Sequence, residues 1–411
     1  CRFQQESGGR LMHMGMIKYA PNTKKNGKFT AEAALFSGKE VEKVYRFHRS
    51  MGSKYNQTPL VRLDAFAKRA GLKRFYVKDE SKRGTLKAFK LLGGAYAVAN
   101  SICRKLGVSV DTIDFEYLKS DEVKKKLGDL VFAAASDGNH GKSVAWAANE
   151  FNQKSIVYMP KGTVQDRIDA IEALGGTVVV SDNSYDWCVC EVNRLSKEKG
   201  WEVVLDTASE GDAQVATWVM QGYSTMAVEA IAQLGEVTPT HVFLQAGVGS
   251  MAAAMTGVIV SHYKKHCPKI YTLEPHQAAC YFESGLAADG KPRSVEGDLD
   301  SIMAGLSCGV PNPISWEIIR NFADGFFSLD DHLTANGMRI LGNPLDGDER
   351  VIAGESGAVG TGFLEYMMRN EKELAEQIGL DKDSVVLVFS TEGDTDTKNY
   401  RDIVWYGKYS E

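Results

Sequence analysis

The chain has 411 residues, 44% hydrophobic and 25% charged, which is enough apolar material for a globular protein of two or more domains. The formal net charge of −5, without a basic run, gives no reason to expect nucleic acid as a partner. No apolar stretch approaches the ~20 residues of a membrane span, so we expect no membrane partner.

The N-terminal residues and the cysteines carry no structural signature. The segment CRFQQESGGRLMHMG (1–15) lacks the charged region and apolar core of a signal peptide, and residues 1–40 are expected to include a flexible arm. Seven scattered cysteines without a CxxC pair favour reduced thiols and a cytoplasmic location. His262 and His266 lack further ligands, so we assign them to a solvated helix face and predict no metal site.

Apolar, β-rich runs alternate with helical patterns along the chain. The first four predicted strands are VFAAA (131–135), SIVYMP (155–160), TVVVSD (177–182) and WEVVLD (201–206). After the second, Thr163 fits a helix N-cap and Gly175 a helix end, and a further helix is predicted near 185–199. The later strands are THVFLQAG (240–247), KIYTLEP (269–275) and SVVLVFST (384–391). This alternation predicts α/β architecture with parallel sheets covered on both faces, in two domains.

A helix-start loop, SDGNHG (136–141), follows the first of these strands, where ligands bind in open α/β sheets. Its amides can hold an anion such as a substrate carboxylate, and Asn139 can bond a ring substituent. Asp137 would repel a carboxylate, which suggests that the ligand also carries a positive charge. The alternative is that Ser136, Asp137 or Asn139 only caps the helix.

A glycine-rich turn, QAGVGSMAAA (245–254), follows another strand and opens a helix. Its glycines let backbone N–H groups approach a phosphate. Gly247, Gly249 and Ala252 also fit G-x-G-x-x-A, and Glu274 stands at the end of the next strand, as a dinucleotide-binding fold requires. From this segment alone, NAD binding and a purely structural turn both remain open.

Lys90 stands at the head of a run of small and apolar residues in TLKAFKLLGGAYA (85–97). A lysine near a helix start is most often a surface residue. In a dry site, however, burial favours the neutral amine, which forms a Schiff base with an aldehyde. The glycine turn, the asparagine loop and a serine after the last strand together favour this second interpretation.

These motifs, AFK with GGAYA, DGNHG, AGVGS and STEGD, resemble the fold-type II pyridoxal phosphate enzymes, which include threonine dehydratase and the tryptophan synthase β chain. The closer resemblance is to the diaminopropionate ammonia-lyases. It extends over residues 45–408 and rests on VKDESKR, AFKLLGGAYA, TWVMQGY, THVFLQAGVG, IMAGLSCG, GESGAVG and STEGDTD. The resemblance implies two doubly wound domains: a large phosphate-binding one from residues 1–90 and 206–411, and a smaller substrate-binding one from residues 91–205.

The resemblance also implies pyridoxal 5′-phosphate as the cofactor and a role for each matching residue. Lys90 would form the Schiff base, with Phe89 packed against the cofactor. Asn139 would bond the 3′-oxygen and Ser390 the pyridine nitrogen. A hydroxyl partner leaves the ring less protonated than a carboxylate does, which suits elimination. Glu355 falls where related enzymes bring an acidic loop to the ring.

Two further sets of residues are assigned through the same resemblance. The set expected to cradle the phosphate is Gly247, Val248, Gly249 and Ser250. The set expected to hold the substrate carboxylate is Ser136, Gly138 and His140.

Two acids separate this chain from the dehydratases. Asp137, and Asp206 in VVLDTA, match acids of the diaminopropionate ammonia-lyases. The substrate 2,3-diaminopropionate carries a β-ammonium group with which a buried carboxylate can pair. The predicted reaction is therefore elimination of ammonia from D- and L-2,3-diaminopropionate, giving pyruvate and two ammonia. Lys90 would remove the α-proton of one enantiomer and Asp137 that of the other, and Asp206 or Asp137 would protonate the leaving amine.

Three other functions are compatible with parts of the sequence. A serine or threonine dehydratase is the runner-up, because its cofactor machinery would look nearly the same. An NAD-dependent dehydrogenase explains only residues 245–254, and a catalytically silent regulator leaves Lys90 and Asn139 without a purpose. The resemblance further implies a homodimer acting on a small amino-acid substrate.

Overall fold

The strands of the protein form two separate sheets. The structure is a computed structural model that describes residues 15–136, 138–207 and 213–410. The strands in these ranges are β1 (Ile17–Pro21), β2 (Leu60–Arg62), β3 (Arg74–Asp79), β4 (Val131–Ala135), β5 (Lys154–Met159), β6 (Thr177–Val180), β7 (Glu202–Val203), β8 (His241–Gln245), β9 (Lys269–Pro275), β10 (Gly325–Leu329) and β11 (Val385–Ser390).

Helices connect the strands and cover both sheets. Those in the same ranges are α1 (Ala31–Ala34), α2 (Gly38–Ser50), α3 (Asp64–Ala70), α4 (Lys90–Leu106), α5 (Phe115–Leu118), α6 (Asp121–Leu127), α7 (Asn139–Glu150), α8 (Gln165–Glu172), α9 (Tyr185–Lys199), α10 (Ala213–Leu234), α11 (Ser250–Tyr263), α12 (Cys280–Ala287), α13 (Pro313–Phe322), α14 (Asp331–Gly342), α15 (Glu355–Asn370), α16 (Lys372–Ile378) and α17 (Thr397–Val404). Within the described residues, none of them is both long and apolar enough to span a bilayer.

The larger sheet has seven strands in the order β1-β10-β9-β8-β11-β3-β2, and the smaller has four in the order β6-β5-β4-β7. Only the edge strands β1 and β2 pair antiparallel, and the other described pairings are parallel. The predicted mostly parallel α/β architecture is therefore confirmed. The smaller sheet uses residues 131–203 only, while the division of the whole chain into two domains stays a prediction.

Two local predictions in the smaller sheet were wrong. The strand expected at 201–206 is only Glu202–Val203 long, because the next carbonyl, of Val204, accepts a hydrogen bond from the His140 ring (2.8 Å). Thr163 does not cap α8, which begins at Gln165, since its hydroxyl instead donates to the Pro160 carbonyl (2.8 Å). The strands β4 and β9 and the helix α9 have the predicted bounds.

Part of the segment 1–40, in which a flexible arm is expected, forms a strand, Ile17–Pro21. Strand β1 pairs antiparallel with β10, from Ile17 opposite Leu329 onward, and the Tyr19 ring stacks on Phe327 at 4.8 Å. The alternating apolar side chains of IKYAP bury against the sheet, which explains the order of this segment. Residues 1–14 lie outside the described ranges.

Helix α4 carries Lys90 as its first residue and is buried along most of its length. A Cβ atom on Gly93 would lie 2.4 Å from the Tyr223 ring in α10, and one on Gly94 would lie 2.6 Å from the Ser143 hydroxyl in α7. Across the first contact, a Cβ on Gly222 would lie 2.5 Å from the Leu92 carbonyl. Only glycine permits such an approach, so the GG pair lets α4 pack closely against helices on two sides.

A buried cluster of four charges holds the segment before α4 against α10. Glu229 of α10 accepts contacts from Lys78 (2.6 Å) and Arg83 (2.8 Å), and Arg83 also pairs with Glu80 (2.8 Å). Burial alone would raise the pKa of Glu229, but the adjacent Arg83 and Lys78 outweigh it and hold that pKa below its usual value. The cluster is neutral as a whole, which makes its burial tolerable.

We predict that Glu229→Gln lowers the free energy of unfolding by about 3 kcal/mol or more, because it leaves Lys78 and Arg83 buried without their shared anion. Denaturant titration followed by circular dichroism measures the change. The matched control is Glu122→Gln, which removes an exposed helical pair with Lys126 and should leave the unfolding midpoint unchanged. Equal effects of the two substitutions would contradict the role given to the cluster.

Candidate active site

A cavity of about 330 Å³ lies where strand ends from both sheets meet. It is bordered by the residues that follow β4, β8 and β11 and by the first residues of α4, α7, α11 and α15. The carboxyl ends of parallel strands and the N-termini of helices are the usual binding region of such folds. The cavity brings together almost all of the described residues that the sequence singled out.

Lys90 and Asp206 form an ion pair inside this cavity. The Lys90 Nζ atom lies 2.8 Å from Asp206 Oδ2, and the two side chains are only 18% and 13% exposed. Burial would raise the pKa of Asp206, but the positive Lys90 and the His140 ring outweigh it and lower that pKa. Asp206 is therefore a buried anion that holds a cation.

The turn before Lys90 is attached to the end of β11. The Phe89 N–H donates to the Thr391 carbonyl (3.0 Å), and the Gly393 N–H donates to the Lys87 carbonyl (2.8 Å). The Phe89 ring packs against Tyr223 with the ring centres 4.6 Å apart. These contacts fix the lysine-bearing turn relative to the large sheet.

The loop SDGNHG keeps its shape through its own side chains. The Ser136 hydroxyl accepts hydrogen bonds from the N–H groups of Gly138 (3.0 Å) and Gly141 (2.8 Å), so it satisfies one N–H of the first turn of α7 although Gly138 occupies the N-cap position. His140 donates to the Val204 carbonyl, as described above. Ser136, Gly138, Asn139 and His140 all line the cavity, while Asp137 lies outside the described residues.

Asn139 contacts an acid, Glu392, that follows β11. Its Nδ2 atom donates to Glu392 Oε2 (2.8 Å), and the Ser356 N–H donates to Glu392 Oε1 (3.1 Å). Burial raises the pKa of Glu392, although the Ser356 N–H and Lys142 oppose the shift. Burial and the nearby Glu392 also raise the pKa of Glu355, to about 7.

The glycine turn before α11 brings its backbone to the cavity wall without covering side chains at the two glycines. Gly249 has a φ of +87°, and a Cβ there would lie 2.0 Å from the Tyr281 hydroxyl, which donates to the Val248 carbonyl. Helix α11 begins at Ser250 without a side-chain cap, and Gly247 to Ser250 line the cavity. An uncapped helix start with accessible amides suits a phosphate group.

Ser390 ends β11 with a fully buried hydroxyl that has no hydrogen-bond partner among the described residues. Buried polar groups are nearly always paired, so this hydroxyl is suited to an acceptor such as a ring nitrogen. Ser390 itself does not line the cavity, whereas the glycine turn and the Lys90 amine do, and these two features fit the phosphate and the aldehyde of pyridoxal phosphate.

Several cavity residues were missed from the sequence. Glu392 belongs to STEGD and Tyr223 to TWVMQGY, two motifs that were recognised without assigning these side chains. Lys142 and Arg167 also line the cavity, and neither stands in a recognised motif. Only the position after a strand could have pointed to Glu392.

The acid on which the dinucleotide alternative depended has another role. Both oxygens of Glu274 accept hydrogen bonds, from the N–H groups of Tyr281 and Phe282 (2.7 Å each), so this carboxylate caps α12. Burial raises the pKa of Glu274 to about 8. Its two acceptor atoms are engaged away from the cavity, which leaves the dinucleotide alternative without its ribose contact.

Comparison with known proteins agrees with this geometry. The sequence profile of the pyridoxal-phosphate dependent enzymes matches residues 53–391. Diaminopropionate ammonia-lyase of Escherichia coli (strain K12) is 47% identical over 390 residues, which cover 94% of this chain and 96% of that protein. A biosynthetic L-threonine dehydratase of Haemophilus influenzae is only 24% identical, over 77% of this chain and 54% of that protein.

Two crystal structures of the Escherichia coli enzyme resemble this chain over nearly its whole length. The selenomethionine-containing holo form has a TM-score of 0.90 at 45% identity and covers 97% of this chain and 99% of that one. The complex with an aminoacrylate–pyridoxal phosphate azomethine reaction intermediate has a TM-score of 0.87 at 44% identity, with coverages of 98% and 99%. The chain is a pyridoxal-phosphate dependent enzyme of fold type II and belongs to the diaminopropionate ammonia-lyases.

Proposed function

We propose that this protein eliminates ammonia from D- and L-2,3-diaminopropionate, giving pyruvate and two ammonia. The observation that carries the proposal is the Lys90–Asp206 pair at 2.8 Å inside a cavity that also holds the glycine turn and Asn139. The same reaction class is named for the relatives of 47% identity.

Pyridoxal phosphate, when bound, supplies an electron sink for the substrate Cα. In this proposal Lys90 binds the cofactor covalently and Phe89 packs against it. The amides of residues 247–250 would hold its phosphate, Asn139 would bind its 3′-oxygen, and Ser390 would donate to its ring nitrogen. Glu355, whose pKa is raised to about 7, lies in the same cavity and completes the proposed cofactor contacts.

Substrate recognition depends on charge. The start of α7, with Ser136, Gly138 and His140, is proposed to receive the substrate carboxylate, since helix N-termini favour anions. Asp206 is already paired with a cation, so its carboxylate is proposed to receive the β-ammonium once the Lys90 amine is in use. Serine and threonine have no such group and would leave Asp206 unpaired, which disfavours the dehydratase alternative.

Proton transfer is divided among the same side chains. Lys90 is proposed to take the α-proton of one enantiomer and Asp137 that of the other. Asp206 is proposed to pair with the β-ammonium and keep it protonated, so that it leaves as neutral ammonia without a further proton. The fold-type II resemblance and the scattered thiols also support a cytoplasmic homodimer.

Lys90→Ala is expected to abolish covalent cofactor binding and turnover, because it removes the nitrogen that would form the Schiff base. Visible absorbance after dialysis is the measurement. Lys105→Ala is the control: Lys105 lies in the last turn of the same helix and pairs with Glu202 (2.7 Å) at the surface. Retained yellow colour in the dialysed Lys90→Ala protein would refute the assignment.

Asp206→Asn is expected to reduce turnover of 2,3-diaminopropionate roughly 10²–10⁴-fold, since it removes the buried charge that would pair with the β-ammonium. Ammonia and pyruvate should be assayed with the diamino acid, serine and threonine as substrates.

Two ammonia per pyruvate from the diamino acid, and little product from the hydroxy acids, are expected for the unmodified protein. Strong release from serine or threonine would instead make the protein a dehydratase.

Asp137→Asn is expected to slow turnover of one enantiomer more than the other, because only one face of Cα would depend on this carboxylate. Separate rates with D- and L-2,3-diaminopropionate measure the difference. Equal losses on the two enantiomers would exclude the two-face division of labour.

A further inference from the structure

Glu392 is a buried acid to which the proposed function gives no task. It follows β11 by two residues, lines the cavity and is 8% exposed. Its backbone accepts a hydrogen bond from Gly354 (2.9 Å), and a Cβ on Gly354 would lie 2.7 Å from Glu392 Cγ. The carboxylate is therefore placed by close packing against a residue that must be small.

The two oxygens of Glu392 join different parts of the fold. Oε1 accepts the N–H of Ser356 in the first turn of α15, where a helix N-terminus stabilises an anion. Oε2 accepts from Asn139, the first residue of α7. Because β11 belongs to the larger sheet and α7 follows β4 of the smaller one, the second bond links the two sheets across the cavity.

This contact settles which way the Asn139 amide faces. The amide nitrogen of Asn139, and not the amide oxygen, lies toward Glu392 and donates to Oε2 (2.8 Å). The amide nitrogen carries two N–H groups, of which Glu392 takes one. The other remains to be donated within the cavity that Asn139 lines.

We infer that Glu392 is a positioning residue, which orients the Asn139 amide so that its second N–H meets the 3′-oxygen of the bound cofactor. The inference rests on the role proposed for Asn139. An N–H donated to the 3′-oxygen stabilises the negative charge of that oxygen. The proton that the 3′-oxygen shares with the Lys90 Schiff-base nitrogen would therefore stay on the nitrogen. Without Glu392 the amide can turn its own oxygen toward the cofactor and repel that charge.

The absorption spectrum of the cofactor-loaded protein tests this directly. The form with the proton on nitrogen absorbs in the visible, and the form with the proton on oxygen absorbs in the near ultraviolet. We expect Glu392→Leu to lower the ratio of the two bands roughly fivefold, the size of one ordinary hydrogen bond. Glu392→Gln should lower it less, because one amide oxygen can serve Asn139 or Ser356 but not both.

Asn139→Ala and the double variant Asn139→Ala/Glu392→Leu complete the test. If Glu392 acts through Asn139, the double variant has the same band ratio as Asn139→Ala alone. The dissociation constant of pyridoxal phosphate, from titration of the stripped protein, gives a second cycle of the same form. The control for loss of a buried carboxylate is Glu274→Gln, which should lower the melting temperature and leave the band ratio unchanged.

Each outcome decides a separate point. Unchanged spectra in both Glu392 variants, with a changed spectrum in Asn139→Ala, overturn the inference and leave the proposed function intact. Additive effects in the double variant show that Glu392 acts independently of Asn139 and also overturn it. An unchanged spectrum in Asn139→Ala removes the proposed contact to the cofactor, and the inference falls with it.

Discussion

The site depends on the close approach of α4 to its neighbours. Lys90 is the first residue of a helix that packs against α10 through Gly93 and Gly222 and against α7 through Gly94. These contacts are shorter than any side chain allows, so the helix cannot move away from one neighbour without pressing into another. The amine at its start is thereby held between the two sheets, and the other groups of the cavity are arranged around that fixed point.

Electrostatics then determines what the cavity accepts. Asp206 lies buried against Lys90, and its pKa is held low by that cation and by His140. A buried carboxylate needs a cation beside it, and Lys90 supplies that cation in this structure. In the proposed function, a ligand that engages Lys90 leaves Asp206 to pair with the β-ammonium of a diamino acid, a group that a hydroxy acid lacks.

The parts of this arrangement that the sequence predicts are the local ones. Strand ends, glycine turns and Lys90 have signals within a few residues, and the strands and parallel sheets follow from the spacing of apolar runs. The pairing of Asn139 with Glu392 has no such signal, because 253 residues separate the two. Thr163 was assigned as a cap from its type and position, but a nearby carbonyl competed for its hydroxyl.

The attachment of the lysine-bearing turn to the end of β11 restricts how the length of the segment after β11 can change. Ala88 forms an isolated antiparallel bridge with Glu392, between the hydrogen bonds from Phe89 and Gly393. The two short segments therefore behave as one paired ribbon, in which neighbouring side chains point in opposite directions. Insertion or deletion of a single residue after Ser390 would reverse that alternation and turn the acid out of the cavity. This stretch should therefore tolerate a change in its length even less well than an exchange of the side chains of Ser390 and Glu392.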